Sequence, residues 1–161
     1  MEVDFERDLT KLMQEVARLI RAEADRRARM NGMTRAQCVL LLRLACNPGM
    51  SQKELADALE VEPISVARLL DRLEAAGLVE RRADQQDRRI WRLHLRPAAT
   101  DKLDNICRQR KELADYVTAG LPDALREAMV EGLRLMKANL LRSANTQPER
   151  AEPAGQIKEK T

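Results

Sequence analysis

Six arginines lie between Arg81 and Arg96, at positions 81, 82, 88, 89, 92 and 96, against only Asp84 and Asp87. That local surplus of four positive charges exceeds the net +3 of the whole 161-residue chain. A charge concentrated in this way attracts polyanions without making the whole surface adhesive. Two further arginines, Arg68 and Arg72, stand four residues apart just upstream. A guanidinium can form a bidentate pair with a guanine edge or bind a phosphate, so these residues suit duplex DNA.

The surrounding pattern says how they would be held. Ser51-x-x-Glu54 has the form of a capping box and opens a short helix with Leu55, Ala56 and Leu59 inward. Glu60-Val61-Glu62 makes a turn. Pro63 stands where the first residue of the next helix belongs, since a missing N–H costs nothing there. That helix, 63–76, buries Val66, Leu69, Leu70 and Leu73, and Gly77 ends it. The spacing predicts a strand over 78–82, a polar loop over 83–89 and a second strand over 91–95. Helix, turn, helix and basic hairpin in this order describe a winged helix-turn-helix.

In that arrangement Pro63, Ser65, Arg68 and Arg72 project from the early half of the second helix, opposite its apolar stripe. A helix entering the major groove presents its early residues to base edges. Arg68 is the expected guanine reader. Ser65 suits a phosphate or a base, and Arg72 suits a phosphate or an intramolecular carboxylate equally. Ser51, Gln52 and Arg82 are placed on the same DNA-facing surface. In the loop, Arg88 or Arg89 enters the minor groove, where a narrow groove concentrates negative potential. Arg88 is the favoured one, with Asp87 holding a neighbouring guanidinium in place.

The flanks read as helices. Leu9, Leu12, Met13, Val16, Leu19 and Ile20 follow helical spacing, and Asn31-Gly32 ends that run. Thr34-x-x-Gln37 is another capping box, opening a helix apolar on most sides. After Pro97 come a helix to about 119 and a last one with the stripe Leu125, Met129, Leu133, Met136 and Leu140. The expected organisation is a helical dimerisation region from 1–33 and 98–142, a DNA-binding lobe at 34–97, and a disordered tail at 143–161. The fold class is mostly α (α+β). Intramolecular burial competes with a dimer interface for the outer stripes, but a two-lobed reader needs a two-fold partner to set half-site spacing.

Other chemistry finds little support. Hydrophobic residues at 44% suffice for a core, while 34% charged and 2% aromatic residues fit a surface-rich helical protein. There is no glycine-rich phosphate loop, and the one histidine, His94, lacks a catalytic partner at a motif spacing. No enzyme, cofactor or metal site is expected. Cys38 and Cys46 lie eight residues apart on one helix, roughly 12 Å along its axis, too far to share a metal. With Cys107 they read as buried bystanders, leaving a redox-responsive regulator as an alternative. Trp91 reads as a packing residue. The charged N-terminus, MEVDFERDL, is not that of a secreted protein, and no apolar run approaches membrane-spanning length. A reducing, cytoplasmic, nucleoid-associated setting is expected.

The run Glu62-Pro63-Ile64-Ser65-Val66-Ala67-Arg68-Leu69-Leu70-Asp71-Arg72-Leu73-Glu74, then Gly77-Leu78-Val79 and Asp87-Arg88-Arg89, resembles the MarR family of bacterial transcriptional regulators. The SlyA branch is the more similar. The likeness covers about 8–141. It implies a winged-helix homodimer whose first, fifth and sixth helices form the base and whose lobes read a palindromic operator. It makes Arg68 the base reader and Arg88 the wing-tip residue. Repression or displacement of silencing proteins is the implied activity, and many members respond to small phenolic or carboxylate ligands. Arg21-Ala22, Asp25, Arg27 and Thr34 match the SlyA pattern, so Arg21, Gln37 and Cys38 could face such a pocket. Family members often carry an aromatic where this chain has Cys38. The competing reading, preferred here, puts Cys38 in the core and pairs Arg21 with a carboxylate. A winged-helix module for docking other proteins is the alternative function, though such a module needs no basic wing.

Overall fold

The computed structural model describes residues 8–146, with the side chains of 144–146 left aside. The chain divides between Val117 and Thr118 into two units.

The first unit begins with α1 (Leu9–Met30). Asp8 caps it, its Oδ1 accepting from the backbone N–H of Thr10 at 2.9 Å and of Lys11 at 3.2 Å. Such a cap satisfies donors that the first helical turn leaves without partners. At the other end Gly32 takes a left-handed φ of 68°, and Met33 N–H turns back to the Ala28 carbonyl. Helix α2 (Arg35–Cys46) opens on the expected capping box, with Thr34 and Gln37 bonding each other's backbone N–H. Leu40, Leu41 and Leu44 of α2 are all but inaccessible. Burying a leucine contributes about 1.5–3 kcal/mol relative to leaving it in water, which makes α2 the axis of the core.

Helix α3 (Gln52–Leu59) also opens on its capping box, between Ser51 and Glu54. Its C-cap is Glu60, with φ 54° and ψ 44°. A left-handed non-glycine residue costs roughly 1–2 kcal/mol, and this one closes a turn of only two further residues before α4 (Pro63–Ala75). Leu55 and Ala56 of α3 meet Val66, Leu70 and Leu73 of α4 in the same core. Strands β1 (Val79–Ala83) and β2 (Trp91–Leu95) pair antiparallel, with Val79 opposite Leu95 and Ala83 opposite Trp91. Strand β1 starts one residue later than expected because Leu78 is part of the turn after α4, where its N–H bonds the Leu73 carbonyl. A 3-10 turn, Pro97–Ala99, leads into α5 (Thr100–Val117), which contributes Ile106 to the core.

The second unit contains α6 (Asp123–Thr146). It runs four residues past Arg142, where the polar tail was placed from sequence. The remainder of that tail, 147–161, lies outside the described residues. Among the described residues no helix is long and apolar enough to cross a membrane.

Three sequence expectations are corrected. Cys46 and Cys107 are exposed rather than buried, because each falls on the side of its helix turned from the core. Cys38 is half-buried and packs against the core, and burial pushes its thiol pKa up. Trp91 is 53% exposed: it begins β2 at the loop end of the ladder, beyond the helices that could cover it.

Candidate nucleic-acid interface

The wing is fastened to the helix-turn-helix by two arginines that the sequence presents as part of an undifferentiated basic run. Arg92 lies on the polar face of β2, where alternation with buried Leu93 puts it. Its Nε donates to Asp84 Oδ2 at 2.6 Å, and its Nη1 donates to Glu54 Oε2 at 3.0 Å. Glu54 Oε2 also accepts from Ser51 N–H at 2.7 Å, so one carboxylate closes the α3 cap and receives the wing. The backbone repeats the link: Leu93 N–H donates to the Met50 carbonyl, and Ser51 forms an antiparallel bridge with Arg92. Arg81 on β1 reaches back to Asp71 and Glu74 of α4.

Asp84 then shapes the loop. Its Oδ1 accepts from Gln86 N–H at 2.8 Å and Asp87 N–H at 3.0 Å, the usual way an aspartate folds the chain after it. The hydrogen bond from Arg92, followed by these two backbone donors, holds its carboxyl down at about 2. Asp87 does not brace a guanidinium as expected. Its Oδ1 accepts from the Arg89 backbone N–H at 2.9 Å, which orders the tip and leaves the neighbouring side chains projecting.

A folded-state pKa below the ordinary 3.8 means that Asp84 contributes stability above pH 4 that is lost as pH falls toward 2. Trp91, the only tryptophan, pairs with Ala83 beside this contact. Its fluorescence should therefore report loosening of the wing between pH 4 and pH 2. Asp84→Asn should show the loosened signal already at neutral pH. A Trp91 signal identical in the two proteins across that range would contradict the anchoring role.

These contacts sort the arginines. Arg81, Arg82, Arg92 and Arg96 all face carboxylates, the second and fourth sharing Glu80. Arg68 and Arg72 on α4, and Arg88 and Arg89 at the wing tip, are exposed and form no ion pair among the described residues. Arg82, expected to meet DNA, is thus engaged within the hairpin. For Arg72, the sequence alternatives of phosphate and internal carboxylate resolve against the carboxylate. Pro63 and Ser65 are exposed beside Arg68. Ser51 and Gln52 are half-buried and internally engaged: Ser51 Oγ accepts from Glu54 N–H, and Gln52 Nε2 donates to the Pro63 carbonyl at 3.3 Å. Gln52 thereby ties the start of α3 to the start of α4, while Ser51 caps α3.

A cleft of about 490 Å³ beside the wing is lined by Arg82, Asp84, Gln85, Gln86, Arg92 and His94. Its two guanidiniums are already neutralised. The residues singled out as a ligand pocket are placed differently. Arg21 is exposed, the Gln37 side-chain oxygen accepts from Thr34 N–H at 2.9 Å, and Cys38 packs on the core. Among the described residues no group of three or more His, Cys, Asp or Glu is placed to hold a metal ion. Sequence reasoning missed Arg92, Arg81 and Glu54 as the wing's anchors. Alternation places Arg92 on the polar strand face, but nothing in the spacing joins residues 38 positions apart.

A capped helix and a proline-opened helix joined by a tight turn, followed by a two-stranded wing tied to both, define a winged helix-turn-helix protein. Residues 33–91 match the MarR family model. A protein assigned to transcriptional regulation of the hcr operon in Thauera aromatica is 32% identical over 99 residues, covering 62% of this chain and 60% of that relative's length. The solved transcriptional regulator PA3341 is 34% identical with a TM-score of 0.73, covering 83% of this chain and 98% of that one. The S. aureus MepR–DNA complex, at 23% identity, shares the fold with a TM-score of 0.71 over 84% of this chain and 98% of that one. The chain belongs to the MarR family of transcriptional regulators.

Proposed function

We propose that the protein is a sequence-specific DNA-binding regulator that reads a palindromic operator as a homodimer. The observation that carries this reading is the separation of the arginines into two sets. One set locks the wing to α3 and α4, and the other, Arg68, Arg72, Arg88 and Arg89, is left uncompensated on the recognition helix and wing tip. A protein-docking module has no need of four exposed guanidiniums without an ion pair among the described residues. The relative solved with DNA supports the same reading.

In this arrangement α4 enters the major groove with Arg68 on a guanine, and Arg88 enters the minor groove. Two lobes must then sit about 34–36 Å apart, one helical turn of DNA. The apolar rows of the outer helices are suited to a second copy. In α1, Leu9, Leu12, Val16 and Leu19 are exposed, and in α6 so are Leu125, Met129, Leu133 and Leu140.

Binding of the full chain to genomic fragments and to random duplex, followed by fluorescence anisotropy across a salt series, tests the proposal. Affinity should fall steeply with salt, since each neutralised phosphate releases counterions. Arg88→Ala should weaken operator binding and reduce the magnitude of the log–log salt slope by about 1. Absence of binding to any duplex at low salt would sink the reading.

A further inference from the structure

One large apolar side chain interrupts the polar surface of α4. Ile64, the second residue of the helix, is 63% exposed. Isolated exposed apolar residues are ordinary on protein surfaces, so exposure alone decides nothing. Its place decides more. Ile64, Arg68 and Arg72 stand at i, i+4 and i+8, which puts them in one row along the helix. Pro63 and Ser65 flank it and are exposed as well. The rest of this surface is polar or small, and Asp71, its acidic member, is engaged by Arg81. The end of α4 that carries Ile64 is tied to α3: Gln52 bonds the Pro63 carbonyl, and the left-handed Glu60 closes α3 two residues before α4 begins.

We infer that Ile64 is a specificity-determining residue that reads the C5-methyl group of a thymine in the major groove. The inference rests on the DNA-binding reading above and adds a base identity to it. Thymine is the one base whose major-groove edge carries a methyl group, and apolar side chains recognise it by contact. Ile64 offers a branched apolar surface with no hydrogen-bonding capacity, so it discriminates by methyl burial and not by donor–acceptor pattern. Its Cα lies about 6 Å along the helix axis from that of Arg68. At about 3.4 Å per base along a strand, the thymine falls within about two base pairs of the guanine met by Arg68. An α4 carrying both residues therefore selects a guanine and a nearby thymine in each half-site.

Deoxyuridine provides the test, because it keeps the hydrogen-bonding edge of thymine and lacks only the methyl group. The full chain selects its preferred duplex from a random library, and each thymine of that duplex is then replaced in turn. One position in each half-site, within about two base pairs of the guanine whose recognition is lost in Arg68→Ala, should lose affinity about fourfold on replacement. Ile64→Ala should abolish that sensitivity at the same position. Alanine is the best helix former and the site is exposed, so the variant should keep the helix, which its thermal midpoint verifies. A wild-type protein indifferent to every replacement overturns the inference while leaving DNA binding standing. So does a thymine preference that survives in Ile64→Ala. Failure to bind any duplex at low salt overturns the DNA reading itself, and the thymine contact with it.

Discussion

Leu133→Asp should convert the protein to a monomer and lower its operator affinity by roughly 10²–10⁴-fold, the range over which linking two binding modules raises avidity. Leu133 lies midway along α6 and is 47% exposed, with Met129 and Leu140 exposed on the same row. A charge placed there must be desolvated whenever that row is covered by a second copy, and no positive partner is supplied by the identical residue across a two-fold axis. The cost falls on assembly. In an exposed position of a single chain, the same substitution is well tolerated. Sedimentation velocity gives the oligomeric state, and anisotropy on full and half operators gives the affinity. The monomer should bind a half-site about as well as it binds the full operator. A Leu133→Asp protein that remains dimeric and binds the full operator normally would show that this row of α6 is not the interface.

Arg68→Ala should lower specific affinity by about 1–3 kcal/mol per half-site while leaving binding to random duplex nearly unchanged. The asymmetry follows from what the residue lacks. Arg68 has no carboxylate among the described residues and is exposed near the middle of α4, so removing it disturbs no internal contact. Its proposed contribution is a bidentate pair with a base edge, absent from non-specific complexes. Non-specific affinity depends on phosphate neutralisation, which Arg72, Arg88 and Arg89 continue to supply. Competition of operator against random duplex, measured at one fixed salt concentration, separates the two contributions. Equal losses on both would assign Arg68 to the phosphates. The contrast with Arg92 is instructive: replacing that residue would loosen the wing and weaken every kind of DNA binding together, because Arg92 acts through Asp84 and Glu54.

Local signals were legible where the physics is local. Both capping boxes, Thr34 with Gln37 and Ser51 with Glu54, form as their spacing predicts, and Pro63 opens α4. Strand β2 runs over the expected residues, because alternation around Leu93 defines one face unambiguously. Exposure was less legible. Cys46 and Cys107 sit in apolar neighbourhoods of sequence yet face outward, and Trp91 is left at the open end of the hairpin. Hydrophobicity alone does not say which neighbour arrives to cover a side chain.

The arginines show the division most plainly. The sequence by itself determined that a basic hairpin follows a helix-turn-helix, since caps, turn residues and apolar periodicity act over a few residues at a time. It also determined that Arg68 stands opposite the buried stripe of its own helix. Which of the basic residues are free was decided only by the tertiary structure. Arg81 finds Asp71 and Glu74, and Arg92 finds Glu54 and Asp84, at separations of seven to 38 residues. Ion pairing depends on distance in space: closure of the hairpin brings Asp84 to Arg92, and packing of α3 and α4 against the sheet brings Glu54, Asp71 and Glu74 within reach. Among the described residues Arg68 and Arg72 on α4, with Arg88 and Arg89 on the wing, keep no ion pair, and they form the surface proposed above to meet a polyanion.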